Sequence, residues 1–265
     1  MLRRRKGFRV DKAELQALFD LEGRTAIVTG GTRGIGFAIA EALALAGADV
    51  VVASRKAEAC ARAAERLQES GATALGIPTH LGDRDAIAAL VEGTVDRFGG
   101  IDIVVNNAAT ALTQPLGELT PEAWDKSFSV NLAGPVFLVE YALPYLRTSG
   151  RGAILNVVSA GAFAYSRATA MYSAAKAAMV SFTRSMAAEF APAGIRVNAL
   201  APGAVDTDMV RNNPPEFVDR LRDSALLGRI AAPSEMIGPA LLLVSDAGSF
   251  ITGQTILADG GLIPR

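Results

Sequence analysis

Thr29-Gly30-Gly31-Thr32-Arg33-Gly34-Ile35-Gly36 stands between a short apolar run, 25–29, that reads as a strand and a run to about Ala46 that reads as a helix. In that position a glycine-rich turn has a definite physical use. Gly30 permits the tight turn, Gly34 lets backbone approach a pyrophosphate, and Gly36 lets the helix pack close to the sheet. The helix N-terminus adds free N–H groups and a positive dipole end for phosphates. With Thr32, Arg33 and Ile35 completing the turn, the stretch predicts a dinucleotide site and a strand–turn–helix unit to carry it.

Outward from this turn the same alternation continues. Apolar strand-like runs at 50–53, 73–77, 101–105, 153–158, 196–200 and 254–257 are separated by helical patterns at 57–69, 83–98, 171–190 and 233–244. Thr120-Pro121 has the chemistry of an N-cap and first helical residue, and that helix runs toward Arg147 with an irregularity expected at Gly134-Pro135. From the end of the strand-like run at 196–200 to about Leu227 the chain reads as irregular. Seven strands alternating with helices predict an α/β domain: a doubly wound, parallel, seven-stranded sheet with helices on both faces. No linker, repeat or low-complexity block divides the chain, so 21–265 reads as a single domain preceded by an extension, 1–20.

Composition excludes several classes. Half of the 265 residues are hydrophobic and the formal net charge is −1. Such a chain buries a full core and has no global field to attract nucleic acid or an anionic membrane. No apolar run approaches the roughly 20 residues of a membrane span. The single cysteine, Cys60, and single histidine, His80, leave no disulfide framework and no His-rich metal site, and fit a reducing, cytoplasmic setting. In the extension, a basic stretch 1–6 precedes Leu15, Leu18 and Phe19 at helical spacing. This reads as a solvated tail and a short helix docked on the body, the alternative being a targeting or membrane-surface role.

A second signal lies in Tyr172-Ser173-Ala174-Ala175-Lys176. If 171–190 is helical, Tyr172 and Lys176 share a face one turn apart. A nearby ammonium favours a phenolate, which lowers the tyrosine from its ordinary pKa of about 10 toward the working pH of an acid–base catalyst.

Taken in order, the glycine turn, Asn106-Asn107-Ala108-Ala109, Asn131, Ser159, Tyr172 with Lys176, and Pro202-Gly203 closely resemble the short-chain dehydrogenase/reductase family in its shorter form, from about Leu21 to the C-terminus. The resemblance implies a Rossmann fold and an enzyme that moves hydride between nicotinamide and a carbonyl carbon. It implies Tyr172 as acid/base and Lys176 as the group that tunes it and holds the nicotinamide ribose. Ser159 then hydrogen-bonds the carbonyl oxygen, and Asn131 holds a water in a proton relay. It also places Asn107, Ala108, Pro202, Gly203 and Thr207 against the cofactor and makes 204–227 a substrate lid.

Cofactor choice is read at the end of the second strand, where a carboxylate would bind the ribose 2′-hydroxyl of NAD. Ser54 stands there, followed by Arg55, with Arg33 in the turn. Two guanidinium groups and no carboxylate suit a 2′-phosphate, so NADP(H) is expected over NAD(H). The chain departs from its relatives at two points. His80 replaces an aspartate that contacts adenine, and Ala109 fills a glycine slot, which requires a backbone conformation open to L-residues.

Met209, Val210, Phe217, Leu221 and Leu226 in the lid, with Ala162, Phe163 and Tyr165 after Ser159, either bias the pocket toward apolar substrates or pack the lid onto the body. The expected substrate is a small carbonyl compound, a ketone or a 3-oxoacyl thioester. A basic patch from Lys126, Arg147 or Arg184 at the pocket mouth would favour the thioester. The competing reading is a catalytically silent sensor or scaffold of the same fold. Relatives of this kind pair the Asn131 and Tyr172 helices into dimers or tetramers, and small residues such as Ala174, Ala178 and Ala187 allow such packing.

Overall fold

The computed structural model describes residues 11–165 and 167–263. Its strands are β1 (Thr25–Thr29), β2 (Asp49–Ser54), β3 (Ala74–Pro78), β4 (Ile103–Asn106), β5 (Ala153–Val157), β6 (Arg196–Pro202) and β7 (Thr255–Ala258). They form one sheet in the order β3-β2-β1-β4-β5-β6-β7, every neighbouring pair parallel. The chain winds outward from β1 to β3, then crosses back to β4 and winds the other way. The reversal lies between β1 and β4, so their carboxyl ends open the crevice where such sheets bind ligands.

Among the described residues ten α-helices complete the fold: α1 (Lys12–Ala17), α2 (Gly34–Leu45), α3 (Ala57–Glu69), α4 (Arg84–Phe98), α5 (Pro121–Phe128), α6 (Gly134–Ser149), α7 (Ala170–Phe190), α8 (Asp208–Arg211), α9 (Pro215–Ser224) and α10 (Ile237–Val244). Side chains alternate across each strand with period two; in the five inner strands both sets are largely buried, while the edge strands β3 and β7 are only partly covered. Ala26, Val28, Val50, Val52 and Val105 pack against α2, α3 and α10. Ile27, Val51, Val104, Ile154 and Val197 pack against α4, α6 and α7. Each large aliphatic side chain so enclosed contributes about 1.5–3 kcal/mol.

Local chemistry sets the helix ends. Asp83 accepts hydrogen bonds from Asp85 N and Ala86 N at the start of α4, which stops at left-handed Gly99. Thr120 accepts from Ala123 N ahead of Pro121 in α5. The irregularity expected at Gly134-Pro135 falls just before it, as a π turn over Ser129–Ala133. Pro135 has no N–H and cannot donate to the Asn131 carbonyl, so the α pattern fails there.

Two expectations change. The stretch leading to Leu227 is not wholly irregular: Thr207 precedes α8, and Pro215 occupies the first turn of α9. Neither helix buries a residue, and α8 is only four residues long; in α9 Phe217, Val218 and Leu221 share a face, a stripe too short to mark a helix by itself. The extension helix forms as α1 under an Asp11–Glu14 capping box, but none of its residues is buried. Leu18 and Phe19 beyond it are also exposed, and the segment is tied down through Leu18, whose carbonyl accepts from Ala247 N at 2.9 Å. The basic stretch 1–6 lies outside the described residues. Among the described residues no helix is long and apolar enough to cross a membrane, and no group of acidic, histidine and cysteine side chains could hold a metal ion.

Candidate active site

A cleft of about 500 Å³ opens along the carboxyl ends of β1, β4, β5 and β6. Gly30, Thr32, Arg33, Gly34, Ile35 and Gly36 line one wall; Ser54 and Arg55 come from β2, and Asn107 and Ala108 from β4. Ser159, Tyr172 and Lys176 form the floor opposite, and Pro202, Gly203 and Thr207 close the far side. Of the catalytic and cofactor-binding residues expected from sequence, Asn131 alone stands behind the lining, buried.

The glycine turn is built by close approach. A Cβ on Gly36 would strike the Gly30 carbonyl and the Asn107 amide, and one on Gly30, whose φ is +64°, would lie 2.9 Å from Ala108 Cα. Gly34 has a further reason to be glycine: its φ is +55°, and Thr207 Cγ2 lies 3.0 Å from where its Cβ would stand. The lid therefore begins in contact with the turn. No side chain caps the start of α2, whose N–H groups face the cleft.

Thr29 and Asn107 join the ends of β1 and β4. The Asn107 amide donates to the Thr29 and Gly30 carbonyls at 2.9 and 3.2 Å, while Thr29 Oγ1 accepts from the Asn107 and Ala108 N–H groups. Thr29 was read from sequence as the first residue of the turn motif, with no role of its own; the structure gives its hydroxyl that role. Ala109 meets the expectation for an L-residue, since among the described residues Ala168 is the non-glycine with positive φ. His80 lines the cleft and its Nδ1 accepts from Gly82 N–H at 3.0 Å, which fastens the turn after β3.

Helix α7 presents Tyr172 and Lys176 as its spacing predicts. Lys176 is 3% exposed, and its ammonium donates to the Val157 carbonyl at 2.8 Å, at the end of β5. It lies 5.7 Å from the Tyr172 ring centroid. Ser159 is hydrogen-bonded to the Tyr172 side chain, and its Oγ also accepts from Gly161 N–H at 3.1 Å. The electrostatics differ from the expectation. Burial raises the Tyr172 phenol above its ordinary value, with the Ser159 hydrogen bond opposing the rise. Burial also pulls Lys176 down to about 8. In a dry site the desolvation of the phenolate outweighs the help of an ammonium whose proton is directed at Val157.

Beneath these groups runs a chain of buried polar contacts that sequence reading missed. Asn106 Nδ2 donates to Asn156 Oδ1 and Asn156 Nδ2 to Thr183 Oγ1, each at 2.9 Å; Thr183 Oγ1 donates to the Met179 carbonyl. It fixes β4, β5 and α7 in register, and so sets Lys176 against Val157. The side-chain amide of Asn131 has partners that sequence reading did not assign. Its Oδ1 accepts from Thr110 N–H at 2.9 Å, and its Nδ2 donates to the Thr110 carbonyl at 2.8 Å and to Ser127 Oγ at 3.2 Å. The amide thus anchors the loop after β4, and the Asn131 carbonyl is the atom that Pro135 leaves without an α-helical donor.

The apolar set expected around the substrate divides. Met209 and Val210 line the cleft, whereas Phe217, Leu221, Leu226, Ala162, Phe163 and Tyr165 do not. The lid's contribution to the wall includes charged pairs: Arg211 Nε and Nη2 donate to the two Asp206 carboxylate oxygens at 2.6 and 2.8 Å, and Asp208 binds Arg33 at 2.6 Å. Of the three cations proposed for a basic patch, Lys126 reaches the lining and Arg147 and Arg184 do not.

A family model described as "Enoyl-(Acyl carrier protein) reductase" matches residues 30–263. The chain is 38% identical over 239 residues to the cis-4-hydroxycyclohexanecarboxylate dehydrogenase of Sinomonas cyclohexanicum, covering 90% of this chain and 96% of that protein. It is 34% identical over 243 residues to the 3-oxoacyl-[acyl-carrier-protein] reductase FabG of Aquifex aeolicus, covering 91% and 98%. Its structure resembles that of a gluconate 5-dehydrogenase from Burkholderia cenocepacia in complex with NADP and tartrate, with a TM-score of 0.89 and 34% identity over 94% of this chain and 98% of that one.

Proposed function

The chain belongs to the short-chain dehydrogenase/reductase family, and on that premise we propose that it is an NADP(H)-dependent oxidoreductase that interconverts a carbonyl compound and a secondary alcohol with Tyr172 as the acid/base. The observation that carries this reading is the convergence of Ser159, Tyr172 and buried Lys176 on one cleft with the uncapped start of α2. The residues suit a nicotinamide dinucleotide: backbone N–H groups and the close-packed Gly30 and Gly36 admit its pyrophosphate, and Arg55 has no salt-bridge partner among the described residues. When bound, the cofactor supplies or receives the hydride.

The protein groups handle the proton and the charge. Tyr172, raised by burial, stays protonated at neutral pH and can donate its proton to a carbonyl oxygen as that oxygen gains charge. Ser159, beside it, donates a hydrogen bond to the same oxygen, a contribution of about 10²–10³ in rate for such donors. Lys176 stabilises the tyrosinate left behind and relays a proton from water held at the Asn131 carbonyl. In the oxidative direction each transfer reverses.

The mixed wall of Met209, Val210, Lys126 and the paired lid carboxylates supports a substrate with a polar or anionic portion, a ketone or a 3-oxoacyl thioester. The three relatives act on such molecules by name, and one holds NADP. Assembly as a dimer or tetramer uses the outer face of α7, where Ala174 is exposed; Ala187 is buried in the core and cannot take part. The deciding test is initial-rate oxidation of NADPH and NADH across 3-oxoacyl thioesters, oxo acids and neutral ketones. NADPH-linked turnover with at least one class supports the reading. Equal or better efficiency with NADH defeats the cofactor assignment, and silence in both directions favours the sensor.

A further inference from the structure

Arg33 is a residue on which the 2′-phosphate preference rests, yet its guanidinium is already engaged. Its Nη1 lies 2.6 Å from Asp208 Oδ2, in a pair that joins the glycine turn to the first residue of α8 across 175 positions of sequence. The sheet order gives the pair a direction. Arg33 follows β1; Ser54 and Arg55 end the neighbouring strand β2; Asp208 follows β6, three strands from β1 on the other side. At about 4.8 Å per strand, β2 and β6 stand roughly 19 Å apart in the sheet. A guanidinium drawn toward Asp208 is therefore drawn toward the lid and away from the edge of the cleft where a ribose 2′-substituent is read.

The pair is suited to be broken. Arg33 and Asp208 side chains are 74% and 47% exposed, so water and salt screen the attraction, and such pairs contribute little to stability. No other acidic side chain pairs with Arg33 among the described residues, while the neighbouring lid carboxylate, Asp206, is already satisfied by Arg211. A 2′-phosphate carries more charge than a carboxylate and can displace it, but only by competing for the same cation. A 2′-hydroxyl makes no such demand.

From this geometry we infer that Asp208 is a specificity-determining residue of the cofactor site: it competes with the 2′-phosphate for Arg33 and so holds down the selectivity for NADPH over NADH. The inference rests on the cofactor reading above. It also makes Asp208 a link between cofactor and lid, since Arg33 leaves α8 when it turns to the phosphate.

The test is fluorescence titration of the full chain with NADPH and, separately, NADH, for the parent, Asp208→Asn, Arg33→Ala and the double variant. Asp208→Asn should tighten NADPH binding about threefold to fivefold, the scale of an exposed ion pair, and leave NADH unchanged. Arg33→Ala should loosen NADPH, and in that background Asp208→Asn should have no effect. If Arg33→Ala loosens NADPH while Asp208→Asn leaves it unchanged or weakens it, Asp208 does not compete and the inference is overturned, the cofactor reading standing. Tightening of both cofactors alike also overturns it, since Asp208 then acts on the lid in general. If Arg33→Ala leaves NADPH binding unchanged, Arg33 is no 2′-phosphate ligand and the inference falls with that part of the reading.

Discussion

Asn131 and Thr110 exchange two hydrogen bonds, Thr110 N–H to Asn131 Oδ1 at 2.9 Å and Asn131 Nδ2 to the Thr110 carbonyl at 2.8 Å. A side chain amide here mimics a strand partner and holds the loop after β4 against the π turn. Asn131→Leu keeps the γ-branched shape and the heavy-atom count but strips both Thr110 groups and Ser127 Oγ of their partner. We expect a loss of about 2 kcal/mol or more in urea unfolding, with faster amide exchange confined to the residues around Thr110. Unchanged exchange there would show that the clasp does not hold the loop.

Tyr172→Phe removes one oxygen from the floor of the cleft. If Tyr172 delivers the proton, turnover should fall by roughly 10³-fold or more, with cofactor affinity unchanged within about twofold. Loss of a phenol that is buried and hydrogen-bonded to Ser159 should change stability by only about 1 kcal/mol. Turnover retained within tenfold would remove Tyr172 from the proton transfer.

Lys176 has a folded-state pKa of about 8 against an ordinary value of 10.5. Below pH 8 both folded and unfolded chains carry the proton, and burial of the charge destabilises the fold by about 3 kcal/mol. Between pH 8 and 10.5 the unfolded chain binds the proton and the folded one does not, so this contribution to stability rises with pH. Lys176→Met removes the buried charge and the hydrogen bond to Val157 together. At pH 7 the variant should be more stable than the parent by roughly 2 kcal/mol, though inactive, and the difference should shrink as pH rises toward 10. A stability difference that does not change with pH would contradict the shift.

Gly36→Ala drives a methyl group into the Gly30 carbonyl and the Asn107 amide, neither of which can yield without opening the turn. Overpacking of this kind costs about 1–3 kcal/mol, a drop of several degrees in Tm. Dinucleotide affinity should fall at least tenfold, because the turn itself is displaced. Gly100→Ala meets nothing within 4 Å at a φ that L-residues accept, and serves as the control, with affinity and Tm unchanged.

Much of this was legible in the chain. All seven strands were readable: the inner five are buried on both faces and so must be nearly unbroken apolar runs, and crossover segments set the edge strands β3 and β7 apart as short runs of their own. The ends of α4 and α5 were marked by Asp83 and Thr120 at their caps. Tyr172 and Lys176 could be paired because helical spacing alone places them together. The lid helices α8 and α9 were not legible: α8 has four residues, and the apolar face of α9, Phe217, Val218 and Leu221, spans little more than one turn and stays partly exposed. The Asn106–Asn156–Thr183 chain was equally hidden, since its members lie 50 and 27 positions apart and each looks like an ordinary polar residue in a strand or helix.

By itself the sequence determined what local rules can write: the alternation of strand and helix, the glycine turn, the cap residues, and the set of groups able to move a proton. The tertiary structure alone decided their electrostatic state and their partners. Tyr172 is raised rather than lowered because burial depends on everything packed around it. Asn131 turns its amide to Thr110, and Arg33 turns toward Asp208 rather than toward β2, because the crossovers bring those groups within reach. Desolvation and competition for a charge are properties of a place in the fold, and no stretch of chain specifies them before the fold is formed.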